Sequence, residues 1–345
     1  MEITEHQPDP SHIMKIGMGF FTSKVLLTAV NEGLFTHLVH KPQSINDIKK
    51  RMNWNCTDRH AMDFLDTLHS LGFLNREGVG LDSIYSNSLE SNVFLDEDKN
   101  SYIGGMLKMA NNRLFRFWAD LDLAIKTGEA QNESKHGDDI FEAIYSDHGR
   151  LKEFINAMTG VQMGNFVGFA NSFDFTEYKT LCDIGGSGAT LSIQVALHQP
   201  HMSCTSLDLP PVEPIANENI QKFKVTDRVK AISGDFFVDD FPKADVIVMG
   251  NILHDWGMDK KQVLIKKAYD ALPENGAFVV IENIIDNERN SNIFGMTMSL
   301  NMLIETQNGF DYTLSDFDHW TSKAGFSSVE LLPLAGPSSA AIAYK

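Results

Sequence analysis

Basic charge is what this 345-residue sequence has least of: 29 lysines and arginines stand against 46 aspartates and glutamates, a formal net charge of −17. Nucleic acid and anionic membrane both require a basic face, so neither is an expected partner. Cysteine is scarce too. Cys56, Cys182 and Cys204 show no C-x-x-C spacing and cannot all pair with one another, which suits a reducing compartment. No stretch reads as approaching the roughly 20 apolar residues of a spanning helix. The opening M-E-I-T-E-H-Q-P lacks the basic and apolar regions of a secretory signal, so a cytoplasmic location is expected. The 12 histidines form no H-x-x-x-H or His/Cys cluster, and no metal site is expected. Repeats and low-complexity tracts are missing as well.

What is present centres on residues 180–200, T-L-C-D-I-G-G-S-G-A-T-L-S-I-Q-V-A-L-H-Q-P. Leu181, Cys182 and Ile184 form a short apolar run that breaks at Gly185, Gly186 and Gly188, and a helix-like pattern follows through Leu191, Ile193, Val195, Ala196 and Leu197. Strand, glycine turn and helix bring bare backbone N–H groups close to a ligand. A turn of this kind fits nucleotides, phosphates or tight packing, so its neighbours decide. The dinucleotide fingerprint G-x-G-x-x-G fails, because Leu191 holds the third glycine position. Asp183 ends the strand, where a carboxylate repels a diphosphate but suits an ammonium group. Twenty residues beyond Gly188, Asp208 and Leu209 open D-L-P-P, the placement of an acid that accepts from ribose hydroxyls. Asp235, Phe236 and Phe237 follow a third strand-like segment and offer an acid and aromatic faces for a base. Amino acid, ribose and adenine without phosphate describe S-adenosylmethionine (SAM), with S-adenosylhomocysteine as product.

D-I-G-G-S-G, D-L-P, G-D-F-F and H-D-W at residues 254–256, in that order, resemble the small-molecule O-methyltransferases of the plant caffeate and animal hydroxyindole type. The resemblance covers nearly the whole chain and extends to bacterial-like stretches such as I-G-M-G-F-F-T-S-K and G-D-D-I-F-E. It implies an N-terminal, mainly helical winged-helix dimerisation domain over residues 1–100, a helical linker that lines the acceptor pocket over 101–170, and a SAM-binding domain over 171–345.

The N-terminal pattern agrees in outline. Residues 10–33 are apolar on more than one face, which reads as a helix buried within its own chain or, as the resemblance implies, packed on a second copy. Residues 44–88 read as a winged helix, with Ser44 and Thr57 starting helices and Glu77-Gly78 turning into a wing that ends near Tyr85. Its second helix carries Asp58, Asp63 and Asp66 against Arg59 alone, which opposes phosphate binding and favours a scaffold role. Residues 100–170 read as helical apart from a loop around 128–137, with Met106, Met109, Phe115, Phe117, Trp118, Phe141, Phe154, Met158 and Met163 as large side chains. Most of these suit a core. The resemblance places Phe154 and Met158, which share one helix face, in the acceptor pocket.

From about Glu177, strands expected near 180–185, 203–208, 229–233, 245–250, 277–284, 326–332 and 340–344 alternate with helices, predicting a doubly wound, Rossmann-like, mostly parallel seven-stranded α/β sheet. Ligands in such sheets lie beyond the carboxyl ends of the strands, which gathers Asp183, Asp208, Asp235, Gly250 and Asn251 around one crevice. His254 follows on a loop. A methyl acceptor with a hydroxyl must lose a proton, and a neutral imidazole can take it near pH 7. Glu282 or Asp311 can orient the ring as the carboxylate does in a hydrolase triad. The resemblance assigns His254 as base with Glu282 and Asp311 as its acidic partners. Asp311 stands where plant relatives carry the longer glutamate, so whether it touches His254 is left to the structure, and Gly250 replaces their lysine near adenosine. Met298, Asn301 and Met302 share a helix face expected to roof the pocket, with Asn301 and Asp255 as polar groups for the acceptor. The reading is a SAM-dependent O-methyltransferase of a small molecule. S-, N- or C-methylation in the same fold remains open, as does a non-catalytic SAM-binding scaffold.

Overall fold

The structure, a computed structural model, describes residues 8–99, 101–133, 145 and 148–345. Phe141 and the G-D-D-I-F-E stretch therefore lie outside the described residues. Contacts divide the chain into two compact units, Met1–Arg116 and Phe117–Lys345. The expected middle piece, 101–170, is shared between them.

In the first unit, Ser44 and Thr57 cap their helices as anticipated: their side chains accept from the backbone N–H of Asp47 and His60 and start the helices Ile45–Met52 and Asp58–Ser70. Ala61, Met62, Leu65 and Leu68 fall on one face of the second helix and pack with Val30, Leu34, Phe35, Ile45 and Tyr85. Strands β1 (Gln43–Ser44), β2 (Leu74–Glu77) and β3 (Ile84–Asn87) form an antiparallel sheet in the order β1-β3-β2. Asp66 ties that hairpin to the helix by accepting from the Tyr85 hydroxyl at 2.6 Å and from Arg76 at 2.8 Å.

Two expectations change here. The N-terminal apolar stretch forms two helices, Ser11–Gly17 and Gly19–Asn31, and leaves Ile13, Met14, Ile16, Phe20 and Phe21 exposed. Taken together, Ser11–Asn31 spans 21 residues and holds an 18-residue window with a mean hydropathy of 1.4, so by length and composition it does reach what a membrane crossing requires. The reason is that Lys15 and Lys24 are its only charged residues. Beyond it, the chain is less regular than a single helical run. It passes from the helix Gly104–Met109 through a π-helical turn, Ala110–Leu114, and a 3-10 turn, Trp118–Asp120, to Leu121–Thr127, which Gly128 ends in the left-handed region at φ 72°.

The second unit holds the sheet. Its strands are β4 (Thr180–Ile184), β5 (Ser203–Asp208), β6 (Val229–Ser233), β7 (Val246–Gly250), β8 (Ala277–Glu282), β9 (Ser328–Pro333) and β10 (Ser339–Tyr344). The order is β6-β5-β4-β7-β8-β10-β9, with β10 antiparallel to both neighbours and the other pairs parallel. The central strands are apolar throughout because both faces are covered. Leu181, Val246, Val248, Val279 and Ile281 enter one layer, and the alternating Cys182, Ile184, Ile247, Met249, Phe278 and Val280 enter the other. At the amino edge, Asp245 accepts from the backbone N–H groups of Lys179 and Thr180 and from the Thr180 hydroxyl, which pins the register of β4 against β7. Strand order reverses between β4 and β7, so the ligand crevice of the fold opens at their carboxyl ends.

Candidate active site

Each residue on the cofactor side is placed by a strand end. β4 delivers Asp183, and the turn that follows has no room for a side chain at any of its three glycines. A Cβ on Gly186 would lie 2.1 Å from the Ser206 hydroxyl and 2.8 Å from the Asp183 carboxylate. On Gly185, which sits at φ 69°, it would lie 2.4 Å from Ile252, and on Gly188 2.8 Å from Asn219. The turn is fastened to β5 because the Leu207 carbonyl accepts from the Gly185 and Gly186 N–H groups at 2.8 and 3.1 Å. The helix Thr190–His198 starts immediately afterwards.

Asp208, at the end of β5, accepts from the Ser187 and Leu209 N–H groups at 2.8 and 2.7 Å and from the Tyr145 hydroxyl, so three of its roughly four acceptor positions are filled. Asp183 keeps one carboxylate oxygen, Oδ2, buried without a hydrogen-bond partner. Burial, and then the charge of Asp208, raise the Asp183 carboxyl to about 7. Burial raises Asp208 to about 6 against the pull of its Leu209 and Ser187 donors and of Tyr145. A carboxylate held in this state gains from any cation brought to it. The orphaned oxygen, the glycine cradle and the missing third fingerprint glycine fit the amino acid end of SAM and do not fit a diphosphate.

Beyond β6, the Asp235 carboxylate accepts from the Phe237 N–H at 2.8 Å. Phe236, Phe237 and Trp256 form edge-to-face pairs with centroids 4.7 to 6.2 Å apart, and Lys260 lies 4.2 Å over the Trp256 ring. Trp256 and Lys260 extend the aromatic group expected from Phe236 and Phe237. At the end of β7, a Cβ on Gly250 would lie 3.2 Å from Phe166, and Asn251 takes a left-handed φ of 53° with its amide oxygen buried and unpartnered.

His254 is 5% exposed, in a 3-10 turn, Leu253–Asp255, whose carbonyls and N–H groups are held on several sides. Its Nδ1 donates to Asp311 at 3.1 Å, so the shorter acid does reach the ring. Glu282 differs from the expected ring partner: its Oε1 accepts from the His254 backbone N–H at 3.0 Å. Glu282 ends β8, level with the backbone of the turn, so it fixes the main chain while Asp311 fixes the imidazole. Asp255, expected to meet the acceptor, lies 3.4 Å from Nε2. Burial alone would lower the imidazole, but Asp311, Asp255 and Glu282 outweigh it and raise it to about 10. The expectation of a neutral ring near pH 7 therefore does not hold for the chain without ligand.

The acceptor residues separate. Asn301 is buried and its amide oxygen accepts from the Trp118 indole N–H at 2.8 Å, next to buried Met302 and half-buried Met298. Phe154 and Met158, both half-buried, ride on the helix His148–Ser172, which packs on the helix Thr190–His198, the glycine turn, the end of β7 and the Leu334-Ala335 segment. Ile155 abuts Gly188, Thr159 meets Thr190 at 3.2 Å and Phe166 abuts Gly250. Lys261 escaped the sequence reading. It is fully buried and donates to three backbone carbonyls beside His254, although lysines in a K-K pair near a helix start are normally solvated. Helical spacing carries the signal, since Lys261, Leu264, Ile265 and Ala268 share the buried stripe.

A doubly wound sheet with a phosphate-free cradle at its switch point defines the class of SAM-dependent methyltransferases. The comparisons narrow it. The family model of the O-methyltransferase domain matches residues 118–327. The chain is 36% identical over 340 residues, 99% of its own length and 98% of the relative's, to the tetracenomycin polyketide synthesis 8-O-methyl transferase TcmO of Streptomyces glaucescens. It is 30% identical over 275 residues, 79% and 78% of the two lengths, to the N,N-dimethyltransferase OxyT of Streptomyces rimosus. The crystal structure of human N-acetylserotonin methyltransferase in complex with SAM matches with a TM-score of 0.89 at 27% identity, covering 100% of this chain and 99% of that one. The chain belongs to the SAM-dependent O-methyltransferase family and is a methyltransferase enzyme.

Proposed function

We propose that this enzyme methylates a hydroxyl on a planar aromatic small molecule and that His254 is the general base. The observation that carries the reading is the grip on His254: Asp311 holds Nδ1, so that Nε2, which faces Asp255 at 3.4 Å, is the nitrogen that receives the acceptor proton once it has released its own. Bound SAM supplies the electrophilic methyl group. Asp183 receives its ammonium, Asp208 its ribose, and Phe236, Phe237 and Asp235 its base, while the Gly185–Gly188 turn and the Gly250-Asn251 segment admit its backbone-lined side. Phe154, Met158, Met298 and Met302 form apolar walls that keep water from the acceptor, and Asn301, oriented by Trp118, presents a polar group to it. The aromatic acceptor is drawn from the similarity to TcmO, whose name carries an 8-O-methylation in polyketide synthesis.

Because the imidazole is raised to about 10, its proton-accepting form grows as pH rises, and turnover should climb from pH 7 toward 9. The test is transfer of a labelled methyl group from SAM to a panel of phenols. His254→Ala should lose about 1,000-fold in kcat and the pH dependence while SAM binding by calorimetry stays intact. Turnover preserved in His254→Ala would overturn the base. A second reading, transfer to nitrogen, draws on the similarity to OxyT, and analysis of the labelled product separates the two.

The exposed Ile13, Ile16, Phe20 and Phe21 support a homodimer formed through a winged-helix-like N-terminal unit. Sedimentation should give a dimer that Phe20→Asp with Ile16→Asp dissociates. A monomeric parent would end that proposal.

A further inference from the structure

Lys261 is a charged group in the wrong place for helix stability and for solvation. It lies in the first turn of the helix Met258–Ala271, where the peptide dipoles disfavour a cation, and its side chain is wholly buried. Its surroundings explain its retention. The ammonium donates to the carbonyls of Leu253 at 2.8 Å, Trp256 at 2.7 Å and Phe310 at 3.0 Å, which uses all three of its hydrogens. Leu253 and Trp256 bracket His254 and Asp255 in sequence. Phe310 immediately precedes Asp311. One ammonium therefore joins the main chain on both sides of the base to the main chain of the acid that grips it. The Phe310 ring closes over the ammonium at 4.0 Å and Tyr312 lies 5.4 Å away, so water has no route to replace these bonds.

We propose that Lys261 is a positioning residue for methyl transfer, fixing the His254 turn against the Phe310-Asp311 segment and acting as the internal counter-charge of the Asp255, Glu282 and Asp311 carboxylates. The inference rests on the reading of His254 as base. The groups that face this cluster are His254 and Asp255 on the turn, Glu282 from β8, Asp311 and Tyr312 from the segment before the helix Leu314–Ala324, and Lys261 itself. Three carboxylates around one imidazole would hold its proton beyond use. Below about pH 8, where Lys261 keeps its proton despite burial, the adjacent ammonium weakens their field on the ring while leaving the hydrogen bond to Asp311 in place. The burial of Lys261 and the pull of Glu282, Asp255 and Asp311 act on its own ammonium in opposite senses, and burial prevails.

The test replaces Lys261 by methionine, which keeps the stem and removes the charge and the donors. Protein labelled with 15N-histidine and saturated with S-adenosylhomocysteine is titrated by NMR, with the His254 ring signal assigned from its loss in His254→Ala. In Lys261→Met the imidazole should keep more of its proton than the parent's at each pH below about 8, the range in which Lys261 carries its charge. With a hydroxynaphthoate as probe acceptor, kcat should fall roughly 100-fold while KM for SAM changes less than about twofold, as a misaligned base requires. If Lys261→Met does not fold, Lys261→Gln retains two donors without charge and reads the same shift, and Lys261→Arg, with charge and donors, should restore the parent titration. An imidazole that titrates identically in the parent and in the uncharged variants overturns the proposal. Turnover surviving in His254→Ala would instead undo the base and leave this titration as an independent reading of what Lys261 does.

Discussion

At the ends of β4 and β5, Asp183 and Asp208 are buried together with neutral donors as their neighbours. Beyond the ends of β7 and β8, three carboxylates, half-buried Asp255 and buried Glu282 and Asp311, surround an imidazole and an ammonium. The first group carries unbalanced negative charge and keeps a carboxylate oxygen unpaired, so the chain alone is electrostatically incomplete there. The second is largely neutralised from within. The lesson is that burial of an acid has no fixed meaning: in one place it prepares for a cationic ligand, and in the other it orients a protein group.

The same chemical change should therefore have opposite consequences in the two places. Asp311→Asn takes the acid from a paired cation and carries the larger effect, a loss of about 100-fold in kcat and about 3 kcal/mol of stability near neutral pH. His254 is raised in the folded chain, so the pairing stabilises fully below the ordinary histidine value of about 6.5 and fades as pH rises through about 10. The deficit in Asp311→Asn should narrow over that window in chemical denaturation, and an equal deficit at pH 6 and pH 10 would contradict the pairing. Asp183→Asn should act in the other direction on the fold. Its folded carboxyl is raised to about 7, so the parent loses stability as pH rises from about 4 through 7. The variant should melt higher than the parent at pH 8 without ligand, show no such gain at pH 4, and bind SAM about tenfold more weakly because a charge-assisted partner of the ammonium is gone. A lower melting point at pH 8 would mean that Ser192 holds the Asp183 carboxylate as firmly as a charged partner would and that the contrast between the two groups is false.

The sheet was legible because its strands are buried on both faces and punctuated by turns. The expected and observed strands differ by no more than two residues at either end, and their mostly parallel arrangement followed from the alternation with helices. The glycine turn was legible for a related reason: its conformation excludes side chains, so the sequence records it directly. The division of labour between Glu282 and Asp311 was not. Which acid meets the ring and which meets the backbone depends on a difference of a few ångströms in height above the sheet, and sequence spacing carries no such coordinate. Lys261 was passed over because its residue type suggests water, although its place on the helical stripe of Leu264, Ile265 and Ala268 pointed inward. The irregular path through the π-helical and 3-10 turns from Ala110 to Asp120 was equally hidden, since the side chains of that stretch are apolar enough to suit an unbroken helix.

The helix His148–Ser172 touches Gly188 through Ile155 and Gly250 through Phe166, positions 11 residues or roughly 16 Å apart along its axis. It is a single strut bearing on both halves of the crevice, and its positions divide into two kinds. Ile155 abuts the glycine turn, Thr159 meets the start of the helix Thr190–His198 and Phe166 abuts the end of β7, whereas Phe154 and Met158, one residue away from the first two, are half-buried. Under the proposed function, a change at Phe154 or Met158 alters the surface offered to the acceptor, one helical step away from residues that abut the glycine turn.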